Sequence, residues 1–414
     1  MRSGWPLVLV LATHTNALHL SRRKLLVKGT ALAAATPPAT LVGAQSLLTS
    51  SPSAVLEAGS AFAVVPDSLR LRPHVSDLQT SDALGRLCAP GVSAIFLGEH
   101  HNAMQDHALQ TALLTEIRRR QPGREIAVGL EAVQRRFQPV LDAYSAREIS
   151  LEELKDATDW ERRWTWSFEG YAPVFEAARV TGARLLALNV DSEDLALVEL
   201  GGFRGLPPDR LARYIPAPEG FGQYSRTIAF KEYTDYVIRP SYALHARMGI
   251  LRRTVTGQTL DADMPFRNFL SGRLLWDEAM GSAAANWVRD HPTGLLVGMI
   301  GSDHVKFGCG AAGRCARALK QGGLGGVRTV LLNPTCADTD SALLRPGFPL
   351  TALQLRYATA VGDGGPSVLG GDTASDSVEA FAMGQVRSID ETVLPLADML
   401  WYSGKVTVQT LEGV

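Results

Sequence analysis

At 414 residues, with 46% hydrophobic and 20% charged side chains, the chain has ordinary globular composition and enough apolar surface for a sizeable core. Its 41 Lys and Arg against 42 Asp and Glu leave a formal net charge of -1, so no global field draws it to nucleic acid or to an anionic membrane, and neither partner is expected. Four cysteines, Cys88, Cys309, Cys315 and Cys336, are too few for a disulfide framework, and without a CxxC pair they do not read as a zinc knuckle. Cys309 and Cys315 read first as free thiols, with a bridge between them as the alternative in an oxidising compartment.

In chain order, the first 56 residues contain no Asp or Glu but five basic residues, Arg2, Arg22, Arg23, Lys24 and Lys28. That is a targeting composition. Trp5 to Ala12 reads as a secretory hydrophobic core, too short to span a bilayer. Arg22-Arg23 then opens a twin-arginine signal that ends in small residues at Val42-Gly43-Ala44. A secretory segment over 1–20 followed by a twin-arginine signal over 21–44 fits delivery to a complex plastid and on to the thylakoid lumen, with simple secretion as the alternative. The mature chain is expected to be soluble or peripherally membrane-associated. Residues 45–75, rich in Ser, Ala and Pro, read as a linker.

From residue 76 strand and helix patterns alternate, which predicts an α/β domain over 76–335: a mainly parallel central sheet with helices on both faces. VSAIFL from Val92, EIAVGL from Glu125, RLLAL from Arg184, GLLVGMI from Gly294 and Val327–Leu332 are the predicted strands. Helices are expected over 103–120, 134–144, 151–158, 171–180 and 266–289. Residues 203–262 mix Pro, Gly and Tyr and read as a helical insertion or lid. The extension 336–414 is Gly and Asp rich over 362–378, and Leu394–Tyr402 looks like a docking helix.

Four of the predicted strands end in polar residues: Glu99-His100-His101, Glu131, Asn189 and Asp303-His304. Ligands in open α/β sheets bind outside the carboxyl ends of the strands, so these tips should converge on one site. Gly98 to His101 and Gly301 to His304 repeat a GxxH pattern, in which glycine is expected to allow a sharp turn. His101, His304, Glu99 and Glu131 match a divalent metal site for Zn or Mn, with open positions for water. They equally suit a metal-free hydrolase with a histidine base and an orienting carboxylate. Haem ligation is the third reading, since iron accepts an axial His or Tyr. His100 and His101 are neighbours at one tip, so only one can face the crevice. His107, two turns into the following helix, either faces the crevice or bonds a nearby loop. Trp160, Trp164 and Trp166 line a ligand face or pack the core. Asp277 and Glu278 read as caps for a neighbouring helix or as a solvated helix face, with a direct catalytic role as the alternative.

GEHHNAMQDHALQ, GLEAVQRRFQPVLDAY, TDWERRW with Tyr171-Ala172-Pro173, ALNV, LLWDEAMGSA and GSDHVKFGCGAAGRCARAL together resemble the ChaN-like haem-binding uptake family of the Tiki superfamily, over about residues 93–335. The resemblance implies an α/β sheet and binding of haem, or a related tetrapyrrole, as cofactor or partner. It makes His101 and His304 the GxxH histidines and Glu99 and Glu131 the glutamates, and for a haem site His100, His101, His107, Tyr171 and His304 are the candidate cofactor-binding residues. More distant superfamily members of the Tiki protease and erythromycin esterase kinds imply the alternative, a hydrolase with Glu99, His101, Glu131 and His304 as catalytic residues. The resemblance leaves a homodimer open. The chain departs from the bacterial pattern in having no cysteine before Cys88 and in placing Cys309 and Cys315 after the second GxxH.

Overall fold

The apolar runs pair into one eight-stranded sheet among the residues described by the computed structural model, which are 51–65, 74–324, 326–335, 338, 357–359 and 393–406. The leader over 1–44 and the Gly- and Asp-rich run 362–378 lie outside the described residues. In chain order the strands are β1 (Ser60–Val65), β2 (His74–Leu78), β3 (Val92–Glu99), β4 (Ile126–Gln134), β5 (Arg184–Asn189), β6 (Leu295–Gly301), β7 (Gly326–Leu332), the separate two-stranded pair β8 (Tyr357–Thr359) and β9 (Val393–Pro395), and β10 (Met399–Tyr402). The order across the sheet is β2-β1-β10-β7-β3-β6-β4-β5. From β10 to β5 every pairing is parallel, and only β1 pairs antiparallel, with β10 and β2. The central strands β3, β4 and β6 are buried along their whole length. That follows from parallel strands having both faces covered, and it is why they read as unbroken apolar runs.

Helices cover the sheet in two groups. In one, Met104–Arg120 packs against Phe168–Thr181 and Pro52–Ala58. In the other, the 25-residue helix Phe266–Asp290 packs against Ala311–Gln321 and Ser192–Gly201. The expected mainly parallel α/β architecture is met. The insertion is helical as well: Pro208–Tyr214, Pro218–Tyr224, Ile228–Tyr233 and Arg239–Arg247 follow one another, three of them with Pro in the first two positions. Proline there lacks only an N–H that the first turn would leave unpaired. Residues that look irregular in sequence are therefore helix starts.

Two expectations fail. Leu394–Tyr402 is not a docking helix: Met399–Tyr402 forms β10, inserted between β7 and β1 with all four residues buried. A short apolar run cannot be assigned to helix or strand by periodicity alone. Here the decisive contacts are long-range. The Asp398 carboxylate accepts from the Thr329 N–H at 2.7 Å and from the Thr329 hydroxyl at 3.0 Å, tying the strand beside β7. The 45–75 linker also fails over 52–65, where helix Pro52–Ala58 leads into β1 and Phe62 is fully buried. Its Ser and Pro act as cap and first helical residue: the Ser51 hydroxyl accepts from the Ala54 N–H at 3.3 Å. Cys88, Cys309 and Cys315 are free, and burial pushes the thiols of Cys309 and Cys315 up to about 12.

Candidate active site at the strand tips

β3, β6, β4 and β5 are neighbours in the sheet, so the four polar tips meet along one edge. The tip of β4 is irregular. Leu130 pairs with Ala187 and Gln134 with Asn189, so β4 carries extra residues around Glu131. Bulges of this kind re-aim side chains beside sites. The Glu131 carbonyl accepts from Asn189 Nδ2 at 2.7 Å, and its carboxylate Oε2 accepts from the Gly301 N–H at 2.6 Å. That second bond links the β4 and β6 tips.

Two histidines are held in matching ways. His101 Nδ1 lies 2.7 Å from Glu99 Oε1, and its Nε2 faces Glu131 Oε1 at 3.9 Å. His304, on the helical turn Ser302–His304 after β6, places Nδ1 2.5 Å from Asp277 Oδ1 and Nε2 3.3 Å from the same Glu131 Oε1. Glu131 Oε1 is buried and has no hydrogen-bond partner among the described residues. Each imidazole thus has one nitrogen oriented by a carboxylate and the other aimed at a shared polar point. Glu99 is itself fixed: the Tyr171 hydroxyl donates to Oε1 at 2.5 Å and Gln110 Nε2 donates to Oε2 at 2.5 Å. His107 lies over the Tyr171 ring, centroids 4.3 Å apart, with Nε2 3.6 Å from Glu99 Oε2 and no closer polar partner at either nitrogen among the described residues. Trp166 stacks on His101 at 5.8 Å, Trp164 meets its edge at 5.1 Å and Trp276 lies 5.9 Å from His304.

Charge explains why this cluster tolerates burial. Desolvation pushes the His304 pKa down, but Glu131 and Asp277 outweigh it and raise it to about 10. Desolvation pushes Glu131 up, yet His304, His101 and the Gly301 N–H bring it below its ordinary value. Glu99 is likewise opposed by burial and held well below the carboxylate range by His107 and His101. Burial and the neighbouring Glu99 push Tyr171 well above its ordinary value, which keeps it a hydrogen-bond donor.

The structure brings Glu99, His101, His107, Glu131, Tyr171 and His304 together, but not His100. That ring turns away, with Nδ1 2.8 Å from Asp106 and Nε2 3.1 Å from Asp338, in a second buried network where Lys306 bridges Asp303 at 2.7 Å and Asp338 at 3.2 Å. Both nitrogens of His100 are taken in that network, so neither faces the tip cluster. Asp277 and Glu278 neither cap a helix nor face solvent: both are 1% exposed, Asp277 on His304 and Glu278 on Arg314. Gln110 gave no signal in the sequence beyond sitting two helical turns after the tip. The glycines are also used differently than expected. Gly301 has an ordinary extended backbone, φ -60° and ψ 146°, but a Cβ there would lie 2.8 Å from His101 Nε2. It is needed for space, not for a turn. Nor do the described residues assemble the expected metal set, because no group of three His, Cys, Asp or Glu among them is arranged to hold an ion. Both Glu99 oxygens are occupied by Tyr171, His101 and Gln110.

Residues 89–314, spanning both GxxH tips and the helix that carries Asp277, match the model of the family described as haem-binding uptake, Tiki superfamily, ChaN. The chain belongs to this ChaN family. A relative of this ChaN-family chain is the protein RETICULATA-RELATED 5, chloroplastic, of Arabidopsis thaliana, 26% identical over 251 residues that cover 58% of this chain and 31% of the relative. The match thus spans about a third of that protein's length. Among solved structures, ChaN of Campylobacter jejuni with cofacially bound haem is 16% identical with a TM-score of 0.46, covering 66% of this chain and 91% of that one. An erythromycin esterase mutant in its open conformation is 14% identical with a TM-score of 0.37, covering 81% of this chain and 95% of that one.

Proposed function

We propose that this ChaN-family protein binds haem or a related tetrapyrrole at the carboxyl ends of β3, β6 and β4, for tetrapyrrole or iron handling in the plastid. The observation that carries the reading is the pair of anchored imidazoles, His101 and His304, whose Nε2 atoms both face the buried Glu131 Oε1, at 3.9 Å and 3.3 Å. Imidazole and phenol are donors that haem iron accepts, so the set fits the group chemically. His101 and His304 would hold it, with Tyr171 and His107 beside them, and bound haem would supply an iron centre for ligand exchange or electron transfer. Trp164, Trp166 and Trp276 give the cluster apolar walls of the kind a porphyrin contacts. The chloroplastic relative and the acid-free leader support a plastid location, and the Arg22-Arg23 pair supports the thylakoid lumen within it. No helix among the described residues is long and apolar enough to cross a membrane.

The test is a titration of the full chain with haem, followed by the Soret band. A saturable shift that is lost in His101→Ala and in His304→Ala supports the site. Absence of any saturable shift overturns it.

A second reading has its own observation: the pairs His101–Glu99 and His304–Asp277 each orient an imidazole whose Nε2 faces Glu131, at 3.9 Å and 3.3 Å, where protons can be exchanged. That is the arrangement of general acid–base hydrolysis. Ester hydrolysis by the haem-free protein, abolished in Glu131→Gln with the fold intact, would favour it.

A further inference from the structure

We propose that Asp338 is a positioning residue for the two tip histidines: from outside the cluster its single carboxylate binds both GxxH turns and sets the spacing of His101 and His304. The ligand named for those imidazoles rests on the haem reading above, whereas the spacing itself does not. Asp338 follows β7 and is 4% exposed. It lies beyond residue 314, where the family match ends. Its carboxylate is 3.1 Å from Nε2 of His100, the neighbour of His101 on the first turn. On the second turn Oδ1 accepts from the Ser302 hydroxyl at 3.2 Å and lies 3.2 Å from Lys306 Nζ, so it grips that turn on both sides of His304. The carboxylate is itself fixed, because Oδ2 accepts from the Thr335 N–H at 2.8 Å.

The second turn needs such a grip. Phe307, in the helical turn Lys306–Gly308 that follows His304, holds φ 56° and ψ 18°. For a bulky side chain this left-handed backbone is strained, and it persists only where the surrounding contacts over-determine it. The Phe307 N–H donates to the Leu396 carbonyl at 2.8 Å and the Tyr233 hydroxyl donates to the Asp303 carbonyl at 2.9 Å, which anchors the backbone of the turn. Asp338 is the anchor that this turn shares with the first one. Charge sharpens its hold. Burial pushes the Asp338 carboxyl up, but His100 and Lys306 hold it well below the ordinary carboxylate range, so it stays ionised. Lys306, 1% exposed, rests its ammonium on Asp338 and Asp303. Without Asp338 that ammonium would draw on Asp303 alone, inside the turn that carries His304, while His100 would lose the partner of its Nε2. Buried polar groups left unpaired are costly, so both turns would shift to recover partners.

The experiment reads the imidazole nitrogen and Nδ1–H resonances of His101 and His304 in the full haem-free chain, assigned by their absence in His101→Ala and His304→Ala. Asp338→Asn keeps the shape of the side chain and should move the signals of both histidines. Asp338→Glu keeps the charge that His100 and Lys306 need, which guards the fold, and its longer arm should also move both. Asp398→Ala is the control: it cuts the tie between β10 and β7 and destabilises the sheet away from the two turns, so it should leave both sets of signals in place. In the haem titration Asp338→Asn should bind about 10- to 100-fold more weakly than the wild type, the loss typical when a group behind a metal ligand is removed, with an altered Soret maximum. Signals of either histidine unmoved in both Asp338 variants, movement as large in Asp398→Ala, or a haem affinity and Soret maximum unchanged in Asp338→Asn each overturn the proposal. A wild type without any Soret shift removes the haem reading instead, and the histidine signals then decide the role of Asp338.

Discussion

The least replaceable side chain of the tip cluster is Asp277, because it orients His304 from inside a long helix and is 1% exposed. Removing one charge of a buried pair leaves the other uncompensated, at a cost of about 3–5 kcal/mol. Asp277→Asn should therefore lower stability by that order in a denaturant titration. It should also change the pH profile. His304 is raised to about 10 in the folded chain from an ordinary 6.5, so its stabilising contribution is full below about 6.5 and is lost as pH rises through about 10. Thermal melts of the wild type should fall across that window, and those of Asp277→Asn should fall less. Gly301 offers a complementary test. An alanine there keeps an ordinary backbone but drives a methyl against His101 Nε2, so Gly301→Ala should cost about 1–3 kcal/mol by overpacking. The same variant should weaken haem binding; an unchanged Soret titration would show that His101 is not part of the ligand site.

Among the elements, β10 is a strand where the sequence pattern predicts a helix. It contributes four buried residues and joins β7 to β1, so the N-terminal pair β1–β2 reaches the parallel sheet only through it. Trp401, fully buried, pairs with Ala61 on one side and Leu332 on the other. Truncating a buried aromatic of this kind costs about 3–5 kcal/mol. Trp401→Ala should shift the denaturation midpoint accordingly and raise hydrogen exchange in β1 and β7 together. Exchange confined to residues 393–406 would mean that β10 is a peripheral strand.

At the scale of the whole molecule, ligand and location can be tested together. A ligand that binds only the folded chain stabilises it by about 2.7 kcal/mol at a hundred times its dissociation constant. Saturating haem should raise the melting temperature of the wild type and leave His304→Ala unmoved. In cells, replacing Arg22 and Arg23 by lysine should hold a tagged full chain short of the thylakoid lumen. Normal delivery of that variant would remove the twin-arginine reading while leaving the fold and the site untouched.

What the sequence determined by itself was the class of sheet and the identity of the tip residues. Strands buried on both faces must be continuously apolar, so β3, β4, β5, β6 and β7 stood out, and polar residues that end such runs have only the strand tips to occupy. Tertiary structure decided the rest, because those decisions depend on partners far apart in the chain. The choice between His100 and His101 was made by Asp338, 238 residues away, which takes the second nitrogen of His100. The orientation of His304 was set by Asp277 on a helix whose carboxylates looked solvated until that helix was packed. The need for glycine at 301 arose only when the side chain of His101 came across from β3, and β10 became a strand only because β7 and β1 each offered it an unpaired edge. Periodicity records which face of an element is apolar; it holds no record of which distant group will complete a hydrogen bond there.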